Sequence, residues 1–150
     1  MPGVRRRARV ADDAAKPFWP VTVEIKVPWR DIDGAGHVNN AVYFSYMETC
    51  RAEAYLRMRG GTRMQDLDII LARATCDYRS PAEFGETLVV EARPLRVGGT
   101  SFTLGYAIRE KTTGRLVAEG ESVQVAFDYA TQSKKPIPEG VRAKLEAGLT

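Results

Sequence analysis

The sequence predicts an α+β fold in which one antiparallel sheet wraps around one long helix, and three observations carry that expectation. A single long stretch has helical periodicity, several stretches alternate with period two, and the connections after the helix are short. Short connections require antiparallel pairing, and one helix beside such a sheet must bury its apolar face against it.

The first strand is read from Val21, Val23, Ile25 and Val27, which alternate with Thr22, Glu24 and Lys26. Pro28 ends it. From Asn40 onward Tyr43, Met47, Cys50 and Ala54 recur at spacings of four, three and four, one face of a helix. Asn39 and Asn40 are good N-cap residues and Gly60-Gly61 supplies the stop. An irregular stretch, 60–68, leads to a second strand with Ile70, Ala72, Ala74, Cys76 and Tyr78 on one face and Arg73, Thr75 and Asp77 on the other.

Arg79-Ser80-Pro81 breaks this strand, and a third begins at Thr87 and runs to Arg93. Gly98-Gly99 marks a tight turn before the alternation of Phe102, Leu104, Tyr106 and Ile108. Lys111 to Gly114 reads as a hairpin loop. The last long strand spans Leu116 to about Asp128, with Gly120 placed as a bulge. After a break at 133–138, Val141, Leu145 and Leu149 share one face of a short C-terminal helix.

Composition narrows the function. At 150 residues and 44% hydrophobic content the chain supports one buried domain, assigned to residues 18–150, with residues 1–17 as a flexible basic tail. Four arginines between Arg5 and Arg9 hold most of the formal charge of +3, so the body has no bias toward polyanions and no nucleic-acid partner is expected. No apolar run has the length of a membrane span and no secretory signal is seen, so a cytoplasmic protein with two buried thiols, Cys50 and Cys76, is expected. One histidine and two distant cysteines give no zinc set. The serine-hydrolase elbow and the phosphate loop are absent, and Gly34-Ala35-Gly36 lacks the third glycine of a dinucleotide fingerprint. Neither metal nor cofactor is expected.

The candidate site is the loop between the first strand and the helix. Asp33 is a carboxylate in a glycine turn beside a helix N-terminus, placed to activate water or attack a carbonyl; capping the turn is the plain alternative. Asp31 ranks below it, exposed or paired to Arg30. His37 is read either as a hydrogen-bonding or proton-transferring group or as a structural histidine. Gly36 permits close approach of a ligand, and Asn40 offers a helix-terminal N–H to a carbonyl oxygen. Tyr43 belongs to helix packing or to a substrate wall. Glu53 with Arg57, and Glu48 with Arg51, have the spacing of ordinary surface ion pairs.

These residues form a pattern. The segment WRDIDGAGHVNNAVYF, followed by the helix and by YRSPAEFGE, resembles the hotdog-fold acyl thioesterases of the 4-hydroxybenzoyl-CoA thioesterase type, over roughly 21–127. The resemblance implies hydrolysis of an acyl-CoA or acyl-carrier-protein thioester in fatty acid metabolism, without cofactor, by a homodimer whose sites lie at the subunit interface and which can assemble into a tetramer. It implies that Asp33 is nucleophile or general base and that the backbone N–H of Asn40 polarises the thioester carbonyl. The GHVNN segment is closer to fatty acyl members, in which the histidine matching His37 is also catalytic. Their asparagine two residues earlier is Ala35 here, which favours Asp33 as the principal group. Arg79 and Ser101 are the expected contacts to the carrier's pantetheine or phosphate. Two other readings stay open: a module that binds acyl-CoA without cleaving it, and an enoyl-thioester hydratase, whose aspartate and histidine stand five apart where Asp33 and His37 are four apart.

Overall fold

The computed structural model of the chain describes residues 16–61 and 63–149. Most of the expected basic tail, 1–15, lies outside them. The elements follow as β1 (Val21–Lys26), α1 (Val42–Arg59), β2 (Ile69–Tyr78), β3 (Thr87–Val97), β4 (Ser101–Glu110), β5 (Leu116–Asp128), β6 (Ser133–Lys134) and α2 (Glu139–Ala147), with short 3-10 turns at Trp29–Asp31 and Met64–Asp66. The sheet is antiparallel throughout in the order β1-β3-β4-β5-β2, so β1 and β2 are its edges, and β6 folds back on the end of β5.

The sheet wraps α1 as expected. Tyr43, Tyr46, Met47, Cys50, Arg51, Ala54, Tyr55 and Met58 are buried, the i, i+3, i+4 stripe of a helix lying on a core. They meet Leu88, Val90 and Ala92 of β3 and Leu104, Tyr106 and Ile108 of β4. At the N-terminal end of the fold Trp19 is buried and its indole N–H donates to Lys144 O at 2.8 Å, which ties the entry of the chain to α2.

Several expectations are corrected. Gly120 is in register between Tyr106 and Cys76 and forms no bulge. Its missing side chain serves close approach instead: a Cβ there would strike the Thr75 carbonyl and come 2.6 Å from Met47 Cε. The irregularity on that side of the sheet is in β2, between Leu71 and Arg73. One extra residue, Ala72, reverses the alternation, so Leu71 rather than Ile70 stands opposite the buried Gln124. β3 runs on past Arg93 with Pro94 inside it, which the ladder tolerates because β1 ends opposite Ala92 and leaves Pro94 without a neighbour on that side. Ser133 and Lys134 pair with Asp128 and Phe127, and Leu149 lies beyond the end of α2, exposed. Arg51 is 7% exposed, so its pair with Glu48 is no ordinary surface contact.

Candidate active site

The loop from Ile32 to Ala41 is a small hairpin followed by a helix start. Ile32 and Val38 form an isolated antiparallel bridge; Asp33 N–H donates to His37 O at 2.9 Å and Gly36 N–H to Asp33 O at 3.0 Å. Gly36, at φ 84°, makes the reversal, a conformation in which side chains are strained. Asp33 Oδ1 accepts the Ala35 N–H at 2.8 Å, while its second oxygen takes no hydrogen bond among the described residues. Asp33 is thus a turn residue with half of its carboxylate uncommitted.

Two contacts fix this hairpin to the body. Asn39 N–H donates to Asp31 O at 2.9 Å, and the Asp31 carboxylate accepts the Tyr46 hydroxyl at 2.6 Å. Burial, then that bond, holds the Tyr46 phenol far above its usual range, so it remains a donor. Asp31 is therefore an anchor, with Arg30 only at 3.9 Å.

The helix begins at Val42, later than the asparagine pair. The cap position is Ala41, which has no side-chain hydrogen bond; Asn39 instead closes the turn ahead of it, its side-chain oxygen accepting Ala41 N–H at 2.9 Å and its carbonyl accepting Val42 N–H at 3.0 Å. The Asn40 N–H, between these, has no acceptor among the described residues. The other side of Asn40 is held from across the fold, because the Tyr78 hydroxyl donates to its carbonyl at 2.6 Å.

Around this point lies an open hollow of about 340 Å³ lined by His37, Asn40, Tyr43, Tyr78, Arg79 and Ser80 with Val38 and Pro81. Tyr43 and Tyr78 meet edge to face at 5.3 Å, and burial keeps both phenols above their ordinary range, hence neutral. The His37 imidazole makes no hydrogen bond among the described residues. Arg79 directs its guanidinium to Glu119 at 3.2 Å.

Of the residues expected from the sequence, His37, Asn40, Tyr43 and Arg79 come together on this hollow. Asp33 and Gly36 stand outside its lining, on the adjoining hairpin. Ser101 does not join them within one chain. It pairs with Val125, whereas the Arg79 N–H bonds Val117 O, and eight strand positions separate the two by about 26 Å. Tyr78 was missed. It shares a face with Cys76 and Ala74, but nothing local announces a contact to Asn40, 38 positions away. Among the described residues no three His, Cys, Asp or Glu side chains converge as a metal-binding group, and no helix is long and apolar enough to cross a membrane.

Comparison with known proteins adds a family. The model of the thioesterase-like superfamily matches residues 27–145. The chain is 26% identical over 125 residues to the long-chain acyl-CoA thioesterase FadM of Escherichia coli, covering 82% of this chain and 95% of that one. It is 27% identical over 127 residues to a 1,4-dihydroxy-2-naphthoyl-CoA hydrolase of Synechocystis, covering 79% and 88%. Among solved structures, a predicted thioesterase from Bacillus stearothermophilus superposes with a TM-score of 0.80 at 27% identity, covering 87% of this chain and 97% of that one. A thioesterase from Thermus thermophilus solved with coenzyme A and zinc gives 0.76 at 31% identity, covering 84% and 97%.

Proposed function

The chain belongs to the thioesterase-like superfamily and has its hotdog fold, and from that premise we propose that it hydrolyses acyl-CoA thioesters. The observation that carries the reading is the free Asn40 N–H, two residues ahead of α1, on a hollow that adjoins the hairpin bearing the half-uncommitted Asp33 carboxylate. A thioester carbonyl set against that N–H gains a donor where negative charge develops, reinforced by the positive end of the helix dipole. Asp33 accepts the proton of a water that adds to the carbonyl carbon. The tetrahedral intermediate then collapses, the C–S bond breaks, and the departing thiolate takes the proton back from Asp33 and leaves as CoA.

His37 orients the acyl group or the water, and Tyr78 is a positioning residue that holds the Asn40 peptide. Arg79 binds the carrier's phosphate by exchanging its contact with Glu119. The names of the two relatives cover long-chain and bicyclic aromatic acyl groups.

The working unit proposed is a homodimer formed at β2. This edge strand has ten residues, is paired on one side only, and exposes Ile70 and Leu71 at 41% and 46%. An edge of this length with Ile70 and Leu71 exposed at one end can pair with a second copy. Ile70→Asp should then reduce the mass seen by light scattering to that of one chain; an unchanged mass would refute β2 as the interface.

The reaction is tested with a panel of acyl-CoAs, aliphatic and aromatic, by release of free thiol. Turnover that is lost in Asn40→Pro, which removes the N–H, supports the oxyanion role. Turnover unchanged in that variant would remove it, and saturable binding without turnover would select the binding-module reading.

A further inference from the structure

The β2 edge carries two charges that its own chain leaves unmatched. Arg73 and Asp77 are exposed on the outer face of the sheet, four strand positions and about 13 Å apart, too far to meet each other. Neither has an ion pair or a side-chain hydrogen bond among the described residues. Asp77 also stands opposite Glu119, a like charge whose cation is Arg79. Both ends of the same strand expose large apolar side chains, Ile70 and Leu71 at one and Tyr78 at the other.

A second copy that pairs antiparallel with β2 sets residues of one sheet face against residues of the same face, so the two-fold axis passes through a residue. At Thr75 the axis brings Arg73 opposite Asp77 of the partner subunit and Asp77 opposite the partner's Arg73, two opposite-charge pairs across the ladder. An axis at Cys76 sets Arg73 against the partner's Arg79, a like charge. An axis at Ala74 leaves both charges against uncharged residues. The charges therefore select Thr75.

That register decides what reaches the candidate site. Ala72 is the extra residue of β2, and beyond it Leu71 lies on the inner face, opposite the buried Gln124; Tyr78 lies on that face too, opposite the buried Ala118. Counting outward from the charge pairs and passing over Ala72, Leu71 of the partner subunit meets Tyr78, so the exposed apolar ends of the two strands cover each other. Tyr78 lines the hollow that also holds Asn40 and Tyr43 and that is open in a single chain. Resting on the thioesterase reading and its homodimer, we infer that the two β2 strands pair about a two-fold axis at Thr75 and that Leu71 of the partner subunit walls this hollow, a specificity-determining residue for an apolar acyl group.

The register is tested by mass across a dilution series. Arg73→Glu sets like charges opposite at two symmetry-related places and should raise the dimer dissociation constant about tenfold or more, and adding Asp77→Arg should restore it, because each pair is then reversed but kept. A dimer that ignores the single change, or that the double change does not restore, overturns the register. The wall is tested by subunit mixing. Leu71→Trp fills the partner's hollow and should lose thiol release from the acyl-CoA panel, as should Asp33→Asn. Co-expressed, the two variants form hybrids as half of their dimers, and each hybrid keeps one site with an intact Asp33 and an unaltered partner Leu71, so about a quarter of wild-type activity should return. No return, or full activity in Leu71→Trp, overturns the assignment of Leu71. Leu71→Ala, which only enlarges the hollow, should shift the acyl preference toward bulkier groups, and an unchanged preference in an intact dimer overturns it as well. Thiol release by the wild-type protein is read first: its absence defeats the thioesterase reading, whereas the masses judge the register alone.

Discussion

Replacing Tyr46 by Phe removes one oxygen and leaves the ring that packs α1. The ring is 4% exposed, so no cavity opens and the whole effect comes from the hydrogen bond to Asp31 at 2.6 Å. The Asp31 side chain is itself only 17% exposed, and Arg30, 3.9 Å away and 88% exposed, offers little compensation. Hydrogen bonds to charged groups contribute about 1.5–3 kcal/mol, so Tyr46→Phe should destabilise the fold by about 2 kcal/mol. For a domain of this size that lowers the melting temperature by about 4–8 °C. Thermal and urea unfolding followed by circular dichroism, at one fixed protomer concentration, measure it. A double-mutant cycle with Asp31→Asn should return a coupling of at least about 1 kcal/mol. Because Asp31 also anchors Asn39 through its carbonyl, turnover should fall along with stability. A loss below about 0.5 kcal/mol with no coupling would refute the claim that this bond fastens the hairpin of the candidate site.

Three further outcomes are expected. Glu110 accepts the N–H groups of Thr112 and Thr113 and the Thr113 hydroxyl, bonds that pull its pKa from 4.5 down to about 2. A depressed carboxylate stabilises above its unfolded value and loses that contribution as pH falls through its folded one. Urea midpoints of Glu110→Gln and wild type should thus differ near neutrality and converge between pH 4.5 and about 2; a constant difference would contradict this. Gly120→Ala should cost about 1–3 kcal/mol in urea unfolding, because the added methyl meets the Thr75 backbone and Met47 Cε, and a neutral effect would show that β2 and α1 separate easily. Burial pushes the Cys50 thiol up to about 12, so a thiol reagent at neutral pH should modify Cys50 only in denaturant. Rapid modification in the native state would mean that the core opens beneath α1.

The sequence announced those parts of the fold that depend on local period. The β1 alternation, the 43-47-50-54 face of α1 and the Gly98-Gly99 turn all appear where the pattern puts them. Expectations failed where a single residue or a distant partner decides. Ala72 inverts the face of β2 without any compositional mark. Asn39 and Asn40 are equivalent cap candidates by type, and only the Asp31 and Tyr78 contacts separate their roles. Arg51 reads as a surface charge because arginine seldom lies buried; the burial follows from its place on the inner stripe between Met47 and Ala54. Ser101 is expected near the site only because it follows a turn, and the pairing of β4 with β5 carries it to the far end of the sheet.

The central claim is tested most directly by one comparison: the rate of thiol release from the best acyl-CoA by wild type and by Asp33→Asn, with mass and melting temperature checked in both. The account predicts a fall in kcat of about a hundredfold or more, the usual contribution of a general base, in a variant that remains folded and assembled. Activity within about twofold of wild type in such a variant would contradict it and remove Asp33 from the chemistry.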